Sequence, residues 1–219
     1  EKSQSTKEIG FWFPARRSFP NLLIYQPRLK GFASKLHFSS RIFPLHELPS
    51  QLVKTQIGQD IEKAAEVLKN GGLVAIPTET VYGLAANALD SEAVLKIFEA
   101  KRRPEFDPLI VHVGSWEQLN ELACSFPAEA RALTKEFWPG PLTVVLPKKE
   151  IIPDLVTSGL PSVGIRMPNH PLALKLLSLL PFPLAAPSAN PFGYISPTSA
   201  QHVAEQLGDK VDYILDGGP

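Results

Sequence analysis

Residues 91–113 read SEAVLKIFEAKRRPEFDPLIVHV. The first part is a helix, stopped by Pro104, whose ring cannot continue the helical hydrogen-bond ladder. PLIVHV is then a strand. Lys101, Arg102 and Arg103 crowd the helix end, and His112 sits inside the strand. A solvated helix end explains the cations, which also complement the negative end of the helix dipole. It does not explain His112. Between Val111 and Val113, that residue reads either as a satisfied core histidine or as a group facing a ligand.

The same alternation spreads outward from this stretch. DIEKAAEVLKNGG is a helix with Asp60 near its N-cap and Gly71 or Gly72 past its end. LVAIP is a short buried strand. SWEQLNELA opens with a capping-box pattern, Ser115 to Gln118. AEARALTKEFW and HPLALKLLSLL are helical, and LTVVLP and SVGIRMP are strands. PLAAPSAN is a strand leading into a loop, TSAQHVAEQLG is a helix capped by Thr198, and VDYIL is a final strand. Helices alternating with short apolar strands predict an α/β fold with a mixed, twisted sheet flanked by helices.

Composition narrows the function classes. The chain has 219 residues, 44% hydrophobic and 20% charged, which is the profile of a globular domain with a buried core. Its formal net charge is zero, so no global field draws nucleic acid. A single cysteine, Cys124, excludes an internal disulfide and points to a reducing compartment. No apolar run approaches the roughly 18 residues of a membrane-spanning helix.

Residues 1–55 differ from the rest. Up to Lys54 there are nine Lys and Arg against three Asp and Glu, and no sustained period is visible. An Arg- and Ser-rich, acid-poor segment has the composition of a targeting presequence. A partner-bound arm or a segment packed on the domain fits as well. Two parts are therefore expected: a basic extension over 1–55 and a catalytic domain over 56–219. The chain starts at Glu1 with its sole methionine at Met167, and it stops at YILDGGP. Truncation, above all at the C-terminal side, is the expectation.

Several motifs are absent: a Walker A loop, a GxGxxG after a strand, zinc-spaced Cys and His, and a GxSxG elbow. Polar residues instead gather at element ends. PTETVYGLAA offers Thr78, Glu79, Thr80 and Tyr82, with Gly83 permitting close backbone approach. Arg166 ends an apolar strand, where a charge is costly to bury without an anionic partner. Its guanidinium fork matches a carboxylate or phosphate. Ser188 and Asn190 are two apart and share a side in extended chain. Ser196 and Thr198 precede a helix whose first N–H groups favour phosphate. Each alone also reads as a turn or a cap. Together they lie where ligands of α/β sheets gather, and cations with hydroxyls suit a ligand bearing phosphates and a carboxylate. The residues thus read as a nucleotide- or phosphate-binding α/β enzyme.

PTETVYGL, KRRP, PLIVHV, FWPGPLTVVL, VGIRMPNHP, PSAN and SPT, in this order and spacing, resemble the YrdC-like threonylcarbamoyl-adenylate synthases. The resemblance runs from about residue 57 to Pro219. Its hallmark is Lys-x-Arg followed by Ser-x-Asn, here Lys101 to Arg103 and Ser188 to Asn190. It implies a single YrdC-like domain that joins L-threonine, bicarbonate or CO2 and ATP into threonylcarbamoyl-AMP, with release of pyrophosphate. The product feeds modification of a tRNA adenosine next to the anticodon, so tRNA and a downstream threonylcarbamoyl transferase are expected partners. Membrane is not. The resemblance implies that Thr80, His112, Arg166 and Ser188 hold threonine. It implies that Arg103, Asp107, Ser162, Asn190 and Thr198 line the ATP site, with Lys101 and Arg103 neutralising phosphates beside Mg²⁺, for which no protein ligand is assigned. A cytoplasmic location is expected, or an organellar one if residues 1–55 are a presequence. Two positions depart from the family pattern: Asp107, where a neutral or basic residue is commoner, and Phe192, where serine is common. Two other readings stand beside the synthase. One is a non-catalytic double-stranded-RNA or tRNA-binding module. The other is a carbamoyl-transfer domain of the hydrogenase-maturation type, which the single cysteine disfavours.

Overall fold

A computed structural model describes residues 55–219; the expected extension over 1–55 lies, Thr55 apart, outside the described residues. Eight strands form one mixed sheet in the order β1-β8-β2-β3-β7-β4-β6-β5. The strands are β1 Gln56–Gly58, β2 Val74–Ile76, β3 Gly83–Asn87, β4 Ile110–His112, β5 Val144–Pro147, β6 Ser162–Arg166, β7 Leu184–Ala185 and β8 Tyr213–Leu215. The helices are α1 Ile61–Lys69, α2 Ser91–Lys101, α3 Trp116–Leu122, α4 Ala128–Phe137, α5 Asp154–Thr157, α6 Pro171–Ser178 and α7 Ala200–Leu207. Strands β4 and β6 run parallel, and β7 runs antiparallel to β3 and β4. The α/β architecture is the one expected.

Local chemistry explains most boundaries. Asp60 caps α1 by accepting from Lys63 N at 3.0 Å, and Asp90 caps α2 by accepting from Glu92 N at 2.9 Å. Ser115 caps α3, but Gln118 turns its side chain to Gly114 N, one residue outside the expected reciprocal box. The cap of α7 is Ser199, which accepts from His202 N at 3.2 Å, and not Thr198. Helix α2 ends with Arg102 in the left-handed region at φ 51°, and that reversal turns the chain before Pro104.

Strands β1 and β3 and helix α5 carry no clear sequence signal. β3 is GLAAN, poor in strand formers, and it is a strand because β2 and β7 pair with it on both sides.

Alternation sorts the side chains of the sheet into two faces. One face, with Leu84, Ala86, Val111, Val163, Ile165 and Ile214, packs on α2, α3 and α7 in the larger core. The other, with Val74, Ile76, Ala85, Leu184, Tyr213 and Leu215, packs on α1 and α6. That second cover does not reach the β4-β6-β5 end. There Val145, Gly164 and Ile110 stand in one register row, with Val145 67% and Ile110 37% exposed. The sheet therefore keeps an open face at one end. Among the described residues, no helix is long and apolar enough to cross a membrane.

Truncating opposite faces of adjacent strands should give unequal results. Ile165→Ala removes a fully buried side chain and should cost about 2–5 kcal/mol in urea unfolding, whereas Val145→Ala should stay within about 0.5 kcal/mol.

Candidate functional site

Register places the first pair of polar residues. His112 ends β4 opposite Arg166, which ends the parallel neighbour β6, so both side chains share the open face. His112 is 3% exposed, and its Nδ1 is buried without a hydrogen-bond partner among the described residues. Burial, reinforced by the Arg166 charge, pushes its pKa down to about 4. The ring is neutral at physiological pH and can accept or donate one hydrogen bond.

The loop between β2 and β3 meets Arg166 from the other side. Thr78 Oγ1 organises this loop by accepting from Thr80 N and Val81 N, both at 3.2 Å, and donating to Val81 O at 2.6 Å. Arg166 Nη2 donates to Glu79 Oε1 at 2.7 Å and to Thr80 Oγ1 at 3.2 Å. Glu79 Oε2 accepts from Asn169 N at 3.0 Å. Burial raises the Glu79 pKa, but hydrogen bonds from Arg166 and backbone amides, with the Arg166 charge, leave it below the usual carboxylate range. Arg166 Nε is buried and has no partner among the described residues. The loop is moored at its far end too. Tyr82 OH donates to Gly218 O at 2.7 Å and accepts from Gly217 N at 3.1 Å. Gly217 is wedged so tightly that a Cβ there would come within 2.6 Å of Pro77 and 2.7 Å of His170.

A second group gathers where β4 and β6 begin. Arg103 Nη2 pairs with Asp107 Oδ2 at 2.8 Å, Nε donates to Asp107 O and Nη2 to Pro108 O, both at 3.1 Å. Asp107, the acid that departs from the family pattern, is thus the counter-ion of Arg103. Ser162 starts β6 at the same end. β7 runs the opposite way, so the loop that follows it brings Ser188 and Asn190 here as well. Ser188 bridges to Gly83, and Leu84 N donates to Pro187 O at 2.7 Å, which sets Ser188 against the start of β3, where the loop bearing Thr80 ends. Asn190 is 4% exposed; its Nδ2 donates to Pro191 O and Tyr194 O, and its Oδ1 is buried without a partner among the described residues. The Phe192 ring lies 6.0 Å from the Arg103 guanidinium. Thr198 Oγ1 lies 3.5 Å from His202 Nδ1, on a loop joined to Tyr82 N through Pro197 O at 2.8 Å.

Lys101 is not the open cation that its position at a helix end implied. It is 1% exposed, and its ammonium donates to the carbonyls of Ser188 and Asn190. Its own carbonyl accepts from Phe192 N at 2.8 Å. Burial, then the Arg103 charge, lowers its pKa to about 8. Lys101 therefore shapes the Ser-x-Asn loop directly. Glu79 stands in the PTETVYGL motif, but its pairing with Arg166 across the site has no signal in the sequence, because an acid beside an anion-binding cation looks out of place. Among the described residues, no group of three or more His, Cys, Asp or Glu side chains gathers as a metal-binding set.

Comparison with known proteins gives the family. Residues 66–219 match the Sua5_yciO_yrdC family model, described as telomere recombination. The chain is 58% identical over 158 residues to the threonylcarbamoyl-AMP synthase of Pyrococcus abyssi, covering 72% of this chain and 46% of that protein. It is 52% identical over 160 residues to the Bacillus subtilis threonylcarbamoyl-AMP synthase, covering 73% of this chain and 46% of the relative. It also superposes on the crystal structure of P. abyssi Sua5 complexed with L-threonine, with TM-score 0.71 and 55% identity, over 75% of this chain and 49% of that one. The chain thus spans about half the length of these relatives.

The buried ammonium of Lys101 gives a pH signature. It titrates near 8 in the fold and near 10.5 when free, so between these values the unfolded chain holds the extra proton. This group's share of stability therefore rises with pH through that window, and below 8 the burial penalty is borne in full. Chemical denaturation from pH 7.5 to 10 should show this increment in the wild type and lose it in Lys101→Met.

Proposed function

Because the chain belongs to the Sua5–YciO–YrdC family, we propose that it makes L-threonylcarbamoyl-AMP from L-threonine, bicarbonate or CO2 and ATP, releasing pyrophosphate. The observation that carries this reading is His112 and Arg166 side by side on the sheet with Thr80 of the β2–β3 loop against Arg166, and with His112 Nδ1 and Arg166 Nε lacking partners among the described residues. A guanidinium beside a neutral imidazole and a hydroxyl suits a small hydroxylated amino acid. The relative from P. abyssi that binds L-threonine in its crystal structure supports the same ligand here.

In this reading Arg166 takes the threonine carboxylate. Thr80, His112 and Ser188 take its amine and hydroxyl, and the hydroxyl contacts confer selectivity because an analogue lacking it leaves buried polar groups unpaired. Arg103, Asp107, Ser162, Asn190 and Thr198 line the nucleotide side. The threonine amine attacks CO2 to form a carbamate, and a carbamate oxygen attacks the α-phosphorus as pyrophosphate departs. This chemistry needs alignment and charge stabilisation rather than a protein nucleophile. Arg103 supplies positive charge, and Lys101 fixes the loop that carries Ser188 and Asn190. Mg²⁺ would enter with ATP as the metal–nucleotide substrate, since Asp107 already serves Arg103. The product would pass to a threonylcarbamoyl transferase acting on tRNA, in the cytoplasm or in an organelle if residues 1–55 act as a presequence. The rival RNA-binding reading needs an open basic patch. Lys101 is buried and Arg103 is paired, which takes two cations of the 101–103 run out of such a patch; the basic segment that this reading also drew on lies outside the described residues.

Calorimetry should find L-threonine bound in preference to L-serine and L-valine. Arg166→Ala should weaken L-threonine about tenfold or more and leave ATP affinity within about twofold, since charged hydrogen bonds contribute about 1.5–3 kcal/mol. Pyrophosphate release that does not depend on L-threonine would count against the assignment.

A further inference from the structure

Arg166 is the cation best placed for a ligand carboxylate, yet it already holds one. Its Nη2 lies 2.7 Å from Glu79 Oε1, and the two side chains are only 11% and 20% exposed. Two carboxylates cannot share one nitrogen at that range without like-charge repulsion in a poorly hydrated place. Glu79 also has a second anchor, Asn169 N at 3.0 Å from its Oε2. That contact can hold the side chain on the rim after Oε1 leaves the guanidinium. The neighbouring Nε of Arg166 is buried without a partner among the described residues, so the fork is half engaged.

We propose that Glu79 is an internal stand-in for the substrate carboxylate, which threonine must exchange off Arg166 in order to bind. The proposal rests on the functional reading above and adds a gating and selecting residue to it. In the closed state Glu79 offsets the charge of a poorly solvated guanidinium. A ligand that brings its own carboxylate can replace that service, whereas a ligand without one cannot. The exchange lowers apparent affinity by the fraction of molecules in which Arg166 is free. It also filters for α-carboxylates before any contact with the side chain. A purely structural role for Glu79 predicts the opposite sign, because losing a strut loosens the pocket.

The test is Glu79→Gln, which keeps the shape and removes the charge; its single acceptor oxygen can serve Asn169 N or Arg166 but not both, so the ion pair is lost. Titration calorimetry should show L-threonine binding about three- to fivefold tighter than to the wild type. L-Threoninamide, which lacks the carboxylate, should show no gain. Equal or weaker L-threonine binding by a variant that melts like the wild type overturns the exchange and leaves the functional reading standing. Failure of the wild type itself to bind L-threonine overturns both. If Glu79→Gln does not fold, Glu79→Asp, too short to span both partners, must tighten L-threonine with the same sign, and its failure to do so overturns the exchange.

Discussion

A lysine ammonium almost wholly withdrawn from solvent carries a desolvation penalty unless its protons find acceptors. Lys101 finds them in two backbone carbonyls of the loop after β7 and returns a third contact through its own carbonyl. One residue at the end of α2 thereby fixes the course of residues 188–192 against the sheet. The left-handed turn at Arg102 follows at once and sends Arg103 toward Asp107. The two halves of the Lys-x-Arg motif thus do different jobs. One cation builds a loop, and the other is held by Asp107 with its guanidinium near Phe192 of that loop.

The remaining charges at the site come as pairs. Arg166 stands with Glu79 and Arg103 with Asp107, each cation matched by an acid from a neighbouring turn. Such pairing suits partly buried cations, which would otherwise be poorly hydrated and mutually repelling. It also keeps the cleft close to neutral, in keeping with a chain of zero formal net charge. Such a site has little long-range field of its own, and its contacts act at short range.

How much of this was legible in the sequence depends on which force set each element. Helices α1, α2 and α3 could be read because their caps are local: Asp60 and Ser115 sit where the chain itself needs an acceptor. Strands β4, β5, β6 and β8 announced themselves by β-branched and apolar runs. β3 did not, because Ala85 and Ala86 are in a strand only through their neighbours β2 and β7. Among the candidate site residues, position at an element end singled out Arg166, and parallel pairing of β4 with β6 sets His112 beside it. Sequence could not show that Lys101 turns inward, since that depends on a loop nearly ninety positions away in the chain. Nor could it show that Glu79 reaches Arg166, since in PTETVYGL an acid, a cap and a turn residue look alike.

The mooring of Tyr82 has a mechanical side. Its hydroxyl is clamped to the backbone at Gly217 and Gly218, and Gly217 in turn is pressed between Pro77 and His170. Three segments meet there: the loop that bears Thr80, the turn that leads into α6, and the exit from β8. Hydrogen bonds in series along a stiff aromatic ring make a short lever. The hydroxyl thus ties the backbone after Leu215 to the loop that bears Thr80, so the course of one constrains the course of the other.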